Sequence, residues 1–179
     1  MTTTDTISGY FDAIEWSYKV TGPNQVVTSY RCPVPAYFYA VGIEVVLGRH
    51  WIVVRALLQR SLDHAQRESV LQLVSQWNVL SYRARFVLIG DCVVVQAEIP
   101  AGSLSLDEFL LCLTAVCRYS TLAGTEIAAV ATNPSLRKKL DEVIGENRPP
   151  AWAQPLSLAD ADLDFDITPN RFPDSPDTP

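Results

Sequence analysis

The sequence contains few of the residues that usually carry catalysis or bind metals. It has two histidines, His50 and His64, and neither has a carboxylate or cysteine at metal-ligand spacing. Its four cysteines form no Cys-x-x-Cys pair, and Cys112 and Cys117 lie about 140° apart around one predicted helix. A glycine-rich phosphate loop and a nucleophile elbow are also absent. We therefore expect reduced thiols, no metal, no cofactor and no catalytic activity.

Long hydrophobic runs are also missing. Arg55, Arg60 and Arg118 interrupt the longest apolar stretches, none of which approaches the ~20 residues that span a bilayer. The first six residues contain no basic region followed by an apolar run, so the sequence shows no secretory signal. These two observations predict no membrane insertion and a cytoplasmic location.

Basic residues are too few and too scattered for a nucleic-acid surface. The chain of 179 residues has 14 Lys and Arg against 20 Asp and Glu, for a net charge of −6. Residues 150–179 hold six aspartates and one arginine, so most of the excess negative charge lies there and the rest of the chain is nearly neutral. Nucleic-acid binding depends on Lys and Arg that neutralise phosphates, so we do not expect a nucleic-acid partner.

The clearest local pattern is a β-hairpin. Two apolar segments, Arg85–Ile89 and Cys92–Ile99, flank Gly90-Asp91, a pair that supplies the positive φ of a two-residue turn. In the second strand Val93, Val95, Ala97 and Ile99 share one face, the alternation of a sheet packed on one side. A helix must therefore cover that face.

The segment after the hairpin predicts this helix, over Ser105–Ala131. Ser105 and Glu108 fit a capping box, in which each side chain accepts from the backbone N–H of the other residue. Apolar residues occupy two opposite sides of the helix, and such a helix is usually buried on both sides. The second side comprises Leu111, Cys112, Ala115, Tyr119 and Leu122. Either another element or another subunit is expected to cover it.

The remaining periodicities complete an α+β fold with helices packed on an antiparallel five-stranded sheet. The predicted order is α-β-β-β-α-β-β-α, followed by a C-terminal helix and an extended acidic tail. The other predicted elements are a helix over Asp5–Val20, strands over Gln25–Cys32, Tyr37–Leu47 and Trp51–Leu58, a helix capped by Ser61 that ends near Leu80, and a last helix over Asn133–Gly145. Residues 1–145 form the predicted domain and residues 146–179 a Pro- and Asp-rich tail.

The tail contains a segment, Ala159–Ile167, in which aspartates alternate with apolar residues. An extended chain of this kind can add to a sheet edge and place Leu163, Phe165 and Ile167 in pockets. A solvated acidic tail is the alternative. A calcium loop is excluded because Phe165 and Arg171 occupy the positions of its glycine and its bidentate glutamate.

The order of elements, together with Trp77-Asn78, Arg85–Leu88 and Leu104–Phe109, resembles the YbjN-like, type III secretion chaperone-like family. The resemblance covers roughly residues 5 to 131. It implies helices on one antiparallel sheet, often in a homodimer, and action by protein binding without substrate turnover. The helix after Asn133 and the Asp-rich tail depart from the family pattern.

Two functions follow from these patterns. The first is a non-catalytic protein-binding module, chaperone-like or an adaptor, that works through apolar sheet and helix surfaces as a homodimer with a protein client. Its candidate contact residues are Leu111, Ala115, Tyr119 and Leu122 on the predicted Ser105–Ala131 helix and Leu163, Phe165 and Ile167 in the tail. The alternative is a small-molecule sensor or a motif-free enzyme with a pocket between sheet and helices, lined by Trp16, Tyr39, Trp51 and Trp77.

Overall fold

The computed structural model describes residues 2–34 and 37–133, with the backbone alone for residues 32–34 and 37–39. It has the expected α+β class. In chain order the elements are α1 (Thr4–Ala13), β1 (Tyr18–Gly22), β2 (Gln25–Val34), β3 (Tyr37–Leu47), β4 (Trp51–Gln59), α2 (His64–Leu80), β5 (Arg85–Ile89), β6 (Cys92–Pro100), a 3-10 turn (Ala101–Ser103) and α3 (Leu106–Thr132).

Within the described residues the sheet has six antiparallel strands in the order β1-β2-β3-β4-β6-β5, so the prediction of five strands was wrong. The error lies in the first predicted helix, which ends at Ala13 instead of Val20. Glu15 has a φ of 54°, a left-handed conformation that ends the helix and reverses the chain. The following residues then pair as β1 with β2, Tyr18 opposite Thr28.

The predicted hairpin of β5 and β6 is confirmed. Gly90 has a φ of 60° in the turn, and Ile89 pairs with Cys92 across it. Strand β6 also pairs with β4 along its whole length, from Gln59 opposite Val93 to Trp51 opposite Pro100. The hairpin therefore joins the meander of β1 to β4 through its second strand and leaves β5 at the edge.

All three helices pack on one side of the sheet. Along β4 the inward residues Ile52, Val54 and Ala56 are buried beneath α3, while the residues between them are only half-buried. The core also contains Phe11 of α1, which meets the ring of Phe109 edge-on at 5.3 Å between centroids. Apolar burial on this one side therefore supplies most of the driving force for folding.

The second helix begins two residues later than its predicted cap. Asp63, not Ser61, is the N-cap, because its carboxylate accepts from the Gln66 backbone N–H while the Gln66 side chain accepts from the Asp63 N–H. Ser61 instead has a φ of 56° in the connection from β4. Leu62 between them is buried and anchors the helix entry in the core.

The long helix α3 starts at Ser105, as predicted, with the serine hydroxyl accepting from the Glu108 N–H. The second half of the predicted capping box was wrong: the Glu108 carboxylate pairs with Arg83 in the connection before β5. One side of α3 packs on β4 and β6 and another on α2. An element of the same chain therefore covers part of the second apolar side.

The predicted helix over 133–145, beyond Asn133, and the tail over 146–179 lie outside the described residues. Within residues 2–34 and 37–133, no helix combines the length and apolarity needed to cross a membrane.

Candidate functional site

The side of the sheet opposite the helices is the first candidate site, and we call it the open face. Antiparallel register places its residues in rows across the strands. One row runs through Lys19, Val27, Glu44, Arg55, Gln96 and Arg85, and a neighbouring row contains Leu57, Val94 and Val87. Among the described elements, none of the helices packs its buried side on these rows. The open face is thus half apolar and half charged.

A groove of about 640 Å³ runs along the open face. Its volume lies within the range of about 300–1,000 Å³ that is typical of binding pockets in proteins. Its walls combine apolar side chains with charged ones, and they include Val27, Glu44, Arg55, Leu57, Leu58, Arg60, Ile89, Cys92 and Val94. Ile89, at the end of edge strand β5, is 48% exposed. Large apolar side chains are therefore available at the rim of this groove.

The charged row of the open face is held by ion pairs between neighbouring strands. Glu44 accepts from both Arg55 and Gln25, and Glu98 accepts from Arg85 and from Gln96, the latter at 2.8 Å. These side chains are a quarter to more than half exposed, so water screens the pairs. They set the charge pattern of the face more than they stabilise the fold.

A second groove, of about 670 Å³, lies on the helix side where α3 ends, and we call it the α3 groove. Small residues of α3 form one wall and two leucines of β4 the other. The described residues that line it are uncharged: Ala40, Val41, Leu57, Leu58, Gly124, Thr125, Ala128, Ala129, Thr132 and Asn133. The register shifts between Leu57 and Gln59, which marks a β-bulge in β4. The extra residue of a bulge changes the direction in which the neighbouring side chains point.

The predicted contact residues of α3 lie mostly inside the chain. Ala115 and Tyr119 are buried, and Leu111 and Leu122 are half-buried. The Tyr119 hydroxyl accepts from the Tyr82 backbone N–H at 2.8 Å. Contact of a partner with this side of α3 stays a prediction, and for Ala115 and Tyr119 it requires that α2 and the following connection move aside. The tail positions Leu163, Phe165 and Ile167 lie outside the described residues.

The aromatic residues of the alternative hypothesis are spread over the molecule. Trp16 is buried and donates its indole N–H to the Ser29 carbonyl, while Trp77 is buried and donates to the Glu126 carboxylate at 3.1 Å. Trp51 is 51% exposed at the start of β4. The side chain of Tyr39 lies outside the described residues. Trp16 and Trp77 act as core side chains with satisfied polar ends, as buried indoles usually do.

Cys92, Cys112 and Cys117 are free thiols. Burial raises the pKa of Cys112 to about 11, with a smaller contribution from the nearby Glu108 carboxylate. The neutral thiol is therefore the form present at neutral pH, and it is a poor nucleophile. Among the described residues, no three His, Cys, Asp or Glu side chains come together in a metal-binding group.

Sequence patterns alone do not identify the residues that shape the two grooves. Glu44 and Arg55 were visible as single charges within apolar strands, and opposite charges at matching places in adjacent strands signal a cross-strand pair. The adjacent Leu57 and Leu58 break the alternation of β4, which is a signal for a bulge. Neither signal shows which side of the sheet the helices leave uncovered.

No family model matches the chain, and no curated protein matches it. Solved structures similar to it include YbjN from E. coli, with 12% identity and a TM-score of 0.48 over 68% of this chain and 91% of that one. A chain of the heterodimeric ExoU–SpcU complex from the type III secretion system of Pseudomonas aeruginosa also matches, with 12% identity and a TM-score of 0.41 over 69% of this chain and 96% of that one. YbjN and a type III secretion complex are also the kinds of protein that the family resemblance drawn from the sequence names.

Proposed function

We propose that this protein is a non-catalytic protein-binding module whose binding surface is the open face of the sheet. The observation that carries the proposal is the groove of about 640 Å³ on that face, with apolar walls and a charged row. A stable sheet needs only one buried face, and a second face with accessible leucine, valine and isoleucine side chains provides apolar area for a partner.

The partner is inferred from the charge of the groove. Among the described residues, Arg55 and Arg60 line it together with a single carboxylate, Glu44, and Lys19 lies in the same row at the edge of the sheet. An extended polypeptide segment in which apolar residues alternate with acidic ones would place its apolar side chains on Leu57 and Ile89 and its carboxylates near the arginines. Such charge complementarity provides specificity and faster association.

The tail of this chain has that chemistry. Asp160 to Ile167 alternates aspartates with apolar residues, among them Leu163, Phe165 and Ile167. The proposal is therefore that a client segment of this pattern binds the open face and that the tail competes for the same surface. The proposed client complex forms in the cytoplasm.

A binding titration tests this proposal with a fluorescent peptide of residues 157–169. The protein is the full chain carrying Leu163→Ser, Phe165→Ser and Ile167→Ser, so that its own tail does not compete. We expect saturable binding that weakens at least about tenfold, or about 1.4 kcal/mol, in Leu57→Asp, because a carboxylate then faces the acidic peptide. Binding should also weaken as salt is raised.

The matched control is Val79→Asp, since Val79 is 82% exposed on α2, away from the open face. This variant should bind the peptide as tightly as its parent. Equal affinity of the Leu57 and Val79 variants, or no binding to the parent, would refute the proposed surface.

The homodimer expected from the family resemblance is a further part of the proposal. Leu71 of α2 is 41% exposed, and contact with a second copy would bury such a side chain. Sedimentation of the full chain at micromolar concentration distinguishes the two states. A strict monomer would contradict the homodimer and leave the peptide-binding test unaffected.

A further inference from the structure

The α3 groove opens beside the point at which the described chain ends. Asn133 is itself one of its lining residues, and the extended backbone of Asn133 (φ −141°, ψ 91°) ends α3 directly before Pro134. A residue before proline avoids the helical conformation, so the chain turns at this point. Whatever follows Asn133 therefore starts at the mouth of the groove.

The next twelve residues have a pattern that matches the groove. Leu136, Leu140, Val143 and Ile144 recur at the spacing of one helix face, and Pro134 and Gly145 stand at a favoured start and end. Arg137, Lys138, Lys139, Asp141 and Glu142 occupy the other positions. Such a helix has one apolar side to bury and one charged side for water.

From these observations we infer that residues 134–145 form a helix that folds back along the end of α3 and buries its apolar side in the α3 groove of the same chain. Gly124, Ala128 and Thr132 supply a wall of small side chains, against which a second helix can approach closely. Twelve helical residues extend about 18 Å, and the stretch of α3 from Gly124 to Thr132 extends about 12 Å. The two lengths are compatible.

The lining of the groove also excludes the acidic tail as its occupant. None of the described residues that line it is charged, so aspartates 160, 162, 164 and 166 would lose hydration there without meeting a cation from these residues. The helix of residues 134–145 places only leucine, valine and isoleucine in the groove. The open face, by contrast, has Arg55 and Arg60 in its groove.

The same chain is favoured over a second copy because the connection is so short. A segment tethered by Asn133 to the groove that it fills has an effective concentration in the millimolar range. A segment from another copy competes with it only at comparable protein concentrations. Docking in the same chain is thus independent of the homodimer proposed above.

Hydrogen exchange measured by mass spectrometry on the full chain tests this inference, with two variants that introduce the same residue. Leu140→Gln lies on the apolar side of the segment and Lys138→Gln on its charged side. In the parent we expect amides of residues 136–145 to exchange at least roughly tenfold more slowly than those of the tail. Leu140→Gln should abolish this protection and speed exchange at residues 124–133, whereas Lys138→Gln should preserve both.

A substitution in the groove provides an independent measurement. Ala128→Trp fills the space opposite Leu58 and should release residues 134–145 while the amides of β3 and β6 keep their protection. Exchange of 134–145 as fast as that of the tail in the parent would overturn the inference. Equal effects of the Leu140 and Lys138 variants would also overturn it. Protection that disappears on dilution to nanomolar concentration would assign the groove to a second copy and overturn docking within one chain.

Discussion

The two faces of the sheet are built from the same strands but stabilised in different ways. On the helix side Ile52, Val54 and Ile99 are buried completely, and packing of apolar side chains holds the face together. On the open face Glu44 and Arg55 form an exposed ion pair between adjacent strands. Alternation along a strand therefore separates the stabilising residues from those available for binding, and substitutions on the two faces should have very different effects.

The largest difference is expected between two isoleucines. Ile99→Ala on the helix side leaves a cavity beneath α3 and should lower the free energy of unfolding by about 2–5 kcal/mol. Ile89→Ala, at a side chain that is 48% exposed on the open side, should change it by about 0.5 kcal/mol or less. Urea unfolding of both variants measures the two values, and similar losses would contradict the division between the faces.

The reactivity of the cysteine thiols should also differ between the two faces of the sheet. Cys92 is half-buried in the groove of the open face, whereas Cys112 is buried and its pKa is raised to about 11. Iodoacetamide at pH 7.5 should therefore modify Cys92 on the order of 100-fold faster than Cys112, because reaction needs an accessible thiolate. Labelling of Cys112 should increase as the pH rises toward about 11. Peptide mapping by mass spectrometry measures the labelling of each cysteine. Equal labelling of Cys92 and Cys112 at pH 7.5 would show that the helix side of the sheet opens readily to solvent.

Two tyrosine hydroxyls form hydrogen bonds in different surroundings, one partly buried and one exposed. Tyr119→Phe removes the acceptor of the Tyr82 N–H in a partly buried place and should cost about 1–2 kcal/mol. Tyr18→Phe removes a long, exposed contact with Asp12 and should cost little. Thermal unfolding of both variants separates the two cases. A larger loss for Tyr18→Phe would indicate that the surface contact matters more than the buried one.

The smallest effect is expected for the ion pairs of the open face. Glu44→Gln should lower the free energy of unfolding by less than about 1 kcal/mol, since exposed pairs contribute little. The difference from the parent should shrink in 1 M salt, where charges are screened over about 3 Å. A loss of several kcal/mol that persists in salt would show that the charged row is structural.

Local signals in the sequence predicted the hairpin and the long helix correctly. Gly90 provides the positive φ of the turn, and Ser105 caps α3, because both effects depend on residues within three positions. The first helix was predicted too long because Tyr18 continues its apolar spacing. Glu15 reverses the chain with a positive φ that glycine usually provides, and pairing with β2 then decides the structure of β1.

The candidate sites were less predictable because they depend on distant parts of the chain. The sequence showed that α3 has two apolar sides, but not that Tyr82, which follows α2, donates to Tyr119 on one of them. Glu108 was expected to complete a capping box, yet its carboxylate pairs with Arg83, which is distant in sequence. The grooves likewise lie between strands and helices that are distant in sequence. Side-chain periodicity predicts each element but not how the elements pack against one another.

The position of β6 between β4 and the edge strand β5 has a consequence for how the chain folds. Strands β1 to β4 form from neighbouring segments, whereas β4 must wait for a partner that follows α2 and β5 in the chain. Until then the β4 backbone is a bare edge with unpaired N–H and C=O groups, prone to join another nascent polypeptide. Pairing of β4 with β6 closes the longest loop between neighbouring strands of the described sheet, so this step should limit the folding rate.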